Sequence, residues 1–177
     1  VLCKASTSST PPEFVDIIDT PTSAEMFEAC KRYGRGADFI IKAAAVSDYR
    51  PAEVAENKMK KKDVELSINL ERTTDILKYL GEHKSPSQVI CGFSMETENL
   101  IENSTAKLHK KNADLIVANN LKDSGAGFGT DTNLVTLITK DGYESLELLS
   151  KADVAKKIID KLIEISKVKH GELPLEE

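Results

Sequence analysis

Val89-Ile90-Cys91-Gly92-Phe93, then Leu100 through Lys111, then Leu115-Ile116-Val117-Ala118, is the run that decides the fold. Its first and last pieces are short and continuously apolar, the pattern of strands covered on both faces. The piece between them predicts a helix over Leu100 to Lys111. A strand, a helix and a second strand in that order specify a parallel pair joined by a crossover.

The same logic extends toward the amino terminus. Phe39 to Val46 is apolar except for Lys42 and predicts another strand covered on both faces. Ahead of it, Thr22 and Glu25 have the spacing of a capping box, and Met26, Phe27, Ala29, Cys30 and Tyr33 recur at helical intervals, so a helix is expected to end at Gly34. Val1 to Ala5 and Val15 to Ile18 have strand character. Between them, Pro11-Pro12 marks the stretch from Ser6 as a loop, because adjacent prolines forbid helix or central strand. Val64, Leu66, Ile68 and Leu70 alternate with Glu65, Ser67 and Asn69, which predicts a strand with one dry and one wet face, assigned to an antiparallel extension. Thr73 or Thr74 then caps a helix reaching Leu80.

Toward the carboxyl terminus, Ser124-Gly125-Ala126-Gly127-Phe128-Gly129 reads as a flexible turn rather than a nucleotide fingerprint, since no helical pattern follows it. Leu134 to Ile138 and Tyr143 to Leu149 flank Asp141-Gly142, a two-residue hairpin signal. Ser150 and Asp153 cap a final amphipathic helix carrying Val154, Ile158, Leu162 and Ile165, and residues 168–177 are expected to fray. The expected fold class is α/β: a Rossmann-like parallel sheet with crossover helices plus an antiparallel extension, in a single domain over residues 1–177.

Net charge of −5 with pI near 5.4 argues against a general nucleic-acid binder, which would carry a broad basic face. No apolar run approaches the roughly 20 residues of a membrane helix, and Val1-Leu2-Cys3-Lys4 is too short for a signal peptide, so a cytoplasmic protein without a membrane partner is expected. Cys3, Cys30 and Cys91 stand far apart and read as reduced structural thiols. His83, His109 and His170 have no partners at catalytic spacing and are expected to be exposed.

In a doubly wound sheet, ligands bind beyond the carboxyl ends of the strands. Ser47-Asp48-Tyr49-Arg50, Gly92 through Thr97, and Asn119-Asn120 follow predicted strands and are expected to meet at one edge, although each alone also reads as an ordinary turn. The small side chains of Ala43, Ala44 and Ala45 let a flat group approach the backbone, or equally let a crossover helix pack closely. Asp48 suits either a ribose or base contact or an Asx turn. Lys58, Lys60, Lys61 and Lys62 concentrate positive charge in an acidic chain, which suits a polyanion; a solvated surface is the alternative. Lys107 and Lys111, four apart, put two ammonium groups on one helix face. Glu96, Glu98 and Glu102 could bind Mg²⁺, but carboxylates at a helix start also complement its dipole, and that reading is preferred.

Ala44-Ala45-Val46-Ser47-Asp48-Tyr49-Arg50-Pro51, Lys58-Met59-Lys60-Lys61, Thr74-Asp75-Ile76-Leu77, Gly92-Phe93 with Glu96-Thr97, Ala106-Lys107 with Lys111-Asn112, and Ala118-Asn119-Asn120 carry a family resemblance. In order and spacing they resemble phosphopantothenoylcysteine synthetase, the synthetase domain of the bacterial coenzyme A biosynthetic flavoproteins. The resemblance runs from Val1 to Leu162. It implies a ligase in which the carboxylate of 4'-phosphopantothenate attacks the α-phosphorus of CTP, with ATP as the less favoured nucleotide. Pyrophosphate leaves, and the amine of cysteine then attacks the acyl-cytidylate to release CMP; Mg²⁺ is expected with the triphosphate.

The resemblance implies a catalytic role for Lys58 and nucleotide contacts at Ala44, Ala45, Asp48, Thr74, Asp75, Ile76, Leu77, Phe93, Lys107 and Lys111. It implies substrate contacts at Ala45, Asn119 and Asn120, and names no metal ligand. It further implies a homodimer built through the antiparallel strand and the Asp141-Gly142 hairpin, and a phosphopantothenoylcysteine decarboxylase, fused or separate. A glycine-rich strand-turn-helix is implied ahead of the matched region, so the chain is expected to be an amino-terminally incomplete synthetase domain. The alternatives are a catalytically incomplete nucleotide-binding or regulatory module and, ranked last for want of a Gly-x-Gly-x-x-Gly, a nicotinamide-linked reductase.

Overall fold

The computed structural model describes residues 1–7, 10–55, 57–58, 67–120 and 131–172. In chain order the elements are β1 (Leu2–Lys4), β2 (Ile17–Asp19), α1 (Ser23–Gly34), β3 (Phe39–Lys42), β4 (Tyr49–Pro51), β5 (Leu70–Arg72), α2 (Ile76–His83) and β6 (Val89–Glu96). They continue as α3 (Leu100–Lys110), β7 (Leu115–Asn120), β8 (Thr132–Asn133), β9 (Val135–Ile138), β10 (Tyr143–Ser145), β11 (Leu149–Ser150) and α4 (Lys151–Lys169). The chain forms two compact units, one from Val1–Cys30 with Ala44–Asp75 and one from Lys31–Ala43 with Ile76–Glu177.

In the first unit, β1 and β2 pair in parallel, Leu2 opposite Ile17, and β4 and β5 pair antiparallel, Tyr49 opposite Arg72. The capping box at the start of α1 is reciprocal, as its spacing predicts: the Thr22 N–H donates to Glu25 Oε2 at 2.9 Å and the Glu25 N–H to Thr22 Oγ1 at 3.2 Å. Across the β4–β5 ladder, Arg50 Nε donates to Glu71 Oε1 at 2.7 Å and the Arg72 guanidinium sits 5.5 Å from the centre of the Tyr49 ring.

The second unit holds a five-stranded sheet in the order β10-β9-β7-β6-β3. Here β3, β6 and β7 run parallel, and β9 and β10 are antiparallel. Alternation sorts the side chains by face. Val89, Cys91, Leu115, Val117, Val135 and Leu137 form one buried cluster with Val154, Ile158 and Leu162 of α4, whose four-residue spacing makes a single apolar stripe. Ser150 caps that helix, its Oγ accepting the Asp153 N–H at 3.1 Å, again as the sequence predicts. Burial pushes the Cys91 thiol up to about 12, so it stays protonated and inert. Cys3, Cys30 and Cys91 form no disulfide. No helix among the described residues is long and apolar enough to cross a membrane.

On the other face α2 and α3 pack close to the sheet and to each other. Helix α3 ends in a Schellman turn: Asn112, at φ 47°, takes the left-handed position, its N–H donates to His109 O at 3.1 Å, and the Ala113 N–H donates to Leu108 O at 3.0 Å. Asn112 Nδ2 then donates to Gly81 O in α2 at 2.8 Å. A Cβ on Gly81 would lie 1.8 Å from Lys111 O, a backbone atom with no freedom to swing away. Gly81→Ala is therefore expected to push α2 off the α3–β7 turn and to destabilise the protein by about 1–3 kcal/mol, the ordinary range for overpacking. Urea unfolding measures it.

Three sequence expectations need correction. Only Phe39–Lys42 of the predicted strand 39–46 enters the sheet, and it pairs with β6 alone. Being the edge strand among the described residues, β3 leaves Phe39 and Ile41 41% and 43% exposed, so it is not covered on both faces. The hairpin loop is two residues long but one position earlier than expected, Lys140-Asp141, because Tyr143 pairs with Ile138 and the Thr139 N–H donates to Gly142 O at 2.9 Å. The strand expected over Val15 to Ile18 begins only at Ile17 and runs to Asp19. Val64 to Leu66, like Ser124 to Gly129, lie outside the described residues; the antiparallel ladder that is described involves Leu70–Arg72.

Candidate functional site

The expected site residues are divided between the two units. In the first unit the ladder ends where Asp48 faces Thr73: the Thr73 N–H donates to Asp48 O at 2.9 Å and Thr73 Oγ1 donates to Ser47 O at 2.6 Å. Those bonds tie the turn after Val46 to the turn that carries Thr74 and Asp75. Asp48, Thr74 and Asp75 are exposed, as are Ala44, Ala45 and Lys58. Lys60, Lys61 and Lys62 lie outside the described residues.

In the second unit the group sits beyond the carboxyl ends of β6 and β7, where Met95 pairs with Asn119 and Glu96 with Asn120. Ser94 Oγ and Ser104 Oγ, both buried, share a hydrogen bond of 2.7 Å that fixes α3 over this rim. Two residues on the same face of α3 reach the strand end. Lys107 Nζ donates to Glu96 Oε1 at 3.3 Å, and Asn103 Nδ2 lies 3.4 Å from Glu96 Oε2 and donates to Glu98 O at 3.0 Å. The side chains of the ion pair are 17% exposed at Glu96 and 33% at Lys107. Asn119 Oδ1 accepts from Asn133 Nδ2 at 3.2 Å. Phe93 is half-buried against the α4 cluster.

Ile76 and Leu77 stand at the start of α2 with buried side chains, and Leu77 packs over Gly92. Only their backbone N–H groups are suited to meet a polar ligand. Lys111 falls past the last turn of α3, one turn farther from the rim than Lys107. His83, His109 and His170 are exposed, as expected.

Unlike Glu102, which fits the helix-dipole reading, Glu96 departs from it. It is the last residue of β6, four residues before α3 begins, and it engages Lys107 instead of the helix end. Glu102 alone of the three carboxylates lies in the first turn of α3. Sequence reasoning ended the strand at Phe93; continuing its two-residue alternation through Ser94 and Glu96 puts both on the α3 side. Asn103, Ser104 and Asn133 were missed because their partners are distant in sequence.

A second charged cluster lies at the amino ends of the same strands. Asp114 Oδ2 accepts from Lys84 Nζ and from the Ile90 N–H, both at 2.8 Å, and Asp114 Oδ1 pairs with Lys169 Nζ at 2.8 Å. Burial alone would push this carboxyl up, but the hydrogen bonds from Lys169, Lys84 and Ile90 more than offset it and hold it below the usual range. The cluster ties the chain after α2, the starts of β6 and β7, and the end of α4. Both carboxylate oxygens are engaged by neighbouring groups of the fold, so its role is structural.

Residues 1–165 match the family described as DNA/pantothenate metabolism flavoprotein C-terminal domain. The chain belongs to that family. This DFP-domain chain is 43% identical over 158 residues to the coenzyme A biosynthesis bifunctional protein CoaBC of Bacillus subtilis (strain 168), an alignment covering 89% of the chain and 39% of that protein. It thus spans about two fifths of the length of that relative. A crystal structure of the C-terminal domain of CoaBC superposes with a TM-score of 0.74 at 38% identity, over 90% of this chain and 70% of that one. A Cab2 mutant in complex with phosphopantothenate-cysteine shares the fold, with a TM-score of 0.69 at 19% identity over 88% and 54% of the two chains.

Proposed function

We propose that this DFP-domain chain is the ligase that joins 4'-phosphopantothenate to cysteine in coenzyme A biosynthesis, activating the acid with CTP. The observation that carries the reading is membership of the family at 43% identity to a protein named for coenzyme A biosynthesis. The phosphopantothenate-cysteine bound by the structurally similar Cab2 agrees with that product class.

The carboxylate oxygen of 4'-phosphopantothenate forms a bond to the α-phosphorus of CTP and the bond to pyrophosphate breaks, giving an acyl-cytidylate. The cysteine amine then bonds to the acyl carbon, CMP leaves with the electron pair, and the amine gives up a proton. Positioning and charge neutralisation supply most of such a rate enhancement, so cations matter more than bases. The residues that the resemblance assigns to the nucleotide include Asp48, Lys58, Thr74, Asp75, Phe93 and Lys107. Asn119 and Asn120 would meet the substrate at the β7 end. Mg²⁺ would accompany the triphosphate, held chiefly by its phosphate oxygens. The exposed side chains at Ile68 and Leu70 would serve a homodimer contact.

Calorimetry with CTP and ATP, followed by assays of pyrophosphate and CMP release, tests the reading. Binding of CTP, pyrophosphate release that needs 4'-phosphopantothenate, and CMP release that needs cysteine are expected. Failure to bind either nucleotide overturns it, and ATP-driven turnover without CTP would reassign the activating nucleotide.

A further inference from the structure

The Glu96–Lys107 pair poses a physical question that the function alone does not answer. A carboxylate that is 17% exposed at a strand end has lost most of its hydration, and it is tolerated because Lys107 and Asn103 replace that water. Lys107 leans back along α3 toward the helix start, the direction helical side chains take, and ends at the rim beside the β6 and β7 termini. Its charge is thereby compensated before any ligand arrives. A triphosphate approaching this rim meets a neutral pair rather than a bare cation.

We infer that Glu96 is a positioning residue, a counter-ion that holds Lys107 at the rim until a polyphosphate takes its place. The inference rests on the nucleotide-dependent function proposed above. Replacing the carboxylate by its neutral isostere keeps the volume and an oxygen to accept from Lys107, gives up the acceptor that faces Asn103, and removes the charge that competes with phosphate.

The test is nucleotide affinity measured by calorimetry on the wild-type chain, Glu96→Gln and Glu96→Asp. Glu96→Gln is expected to tighten CTP and pyrophosphate binding about fivefold, the free-energy scale of a partly exposed ion pair, and to leave cytidine binding unchanged. Glu96→Asp, which restores the charge, should return the CTP affinity to within about twofold of wild type on the same scale. A purely structural role for Glu96 would instead weaken binding of CTP and cytidine alike and lower the melting temperature. Unchanged or weaker CTP binding by a stably folded Glu96→Gln protein overturns this inference and leaves the proposed function standing. If the wild-type chain binds neither CTP nor ATP, the function and the inference fall together.

Discussion

Lys58→Ala is expected to lower turnover by about 100- to 1,000-fold, the cost of removing one preorganised charge-stabilising donor from a transition state, while leaving the melting curve where it was. Lys58 is exposed in the first unit, beyond the β4 strand, and contributes nothing to a packed core. Its ammonium would neutralise charge twice, on the pentavalent phosphorus of the first step and on the departing CMP of the second. Both half-reactions should therefore slow, and pyrophosphate release and CMP release report them separately. Lys58→Arg should recover only part of the loss, because a planar guanidinium cannot follow a phosphate that changes shape as a compact ammonium can. Full turnover by a folded Lys58→Ala protein would remove this residue from the mechanism.

Asp114→Asn is expected to destabilise the second unit by about 3–5 kcal/mol, the usual cost of breaking a buried ion pair by deleting one partner. The carboxylate is 5% exposed and the Lys84 side chain 9%, so the variant leaves a lysine with little water to replace its counter-ion. A chain of this size should lose on the order of 10 °C in melting temperature. The pH dependence has a definite sign. Because the folded-state value of Asp114 is lowered, its contribution is fully present above the unfolded value of about 3.9 and is lost as pH falls through the folded value. Urea unfolding should show wild type well ahead of Asp114→Asn at neutral pH and the gap narrowing below pH ~4. A constant gap across that range would mean that packing, rather than charge, is what the aspartate supplies.

The sequence made α1 and α4 legible because each combines a helical period with an explicit start signal, the Thr22–Glu25 box or the Ser150–Asp153 cap, and β6 and β7 because each carries a short, continuously apolar run flanking the helix α3. Where only composition spoke, the reading slipped. Phe39 to Val46 looks like one buried strand because Ala43 to Val46 are small and apolar, yet nothing in a local pattern says how many neighbours a strand will have. Asp141-Gly142 named a two-residue turn but placed it one position late, because the cross-strand register fixes which two residues form the loop. Family resemblance supplied the individual site residues, while the pairing of Glu96 with Lys107, eleven positions apart, needed the docking of α3. Asp114, a lone acid before an apolar strand, has no sequence signature at all. Its partners lie 30 and 55 residues away.

The Asp114 cluster and the Glu96 rim occupy opposite ends of the same two strands, so inherited or engineered lesions at the two ends should differ in kind. Damage around Asp114 would enlarge the unfolded fraction that cellular proteases clear, and would register as a scarcity of otherwise competent protein. Damage confined to the Glu96–Lys107 contact would leave a normal amount of protein whose affinity for polyphosphate is changed. Comparing steady-state abundance with catalytic output per molecule would sort any collection of variants into these two classes without a further structure.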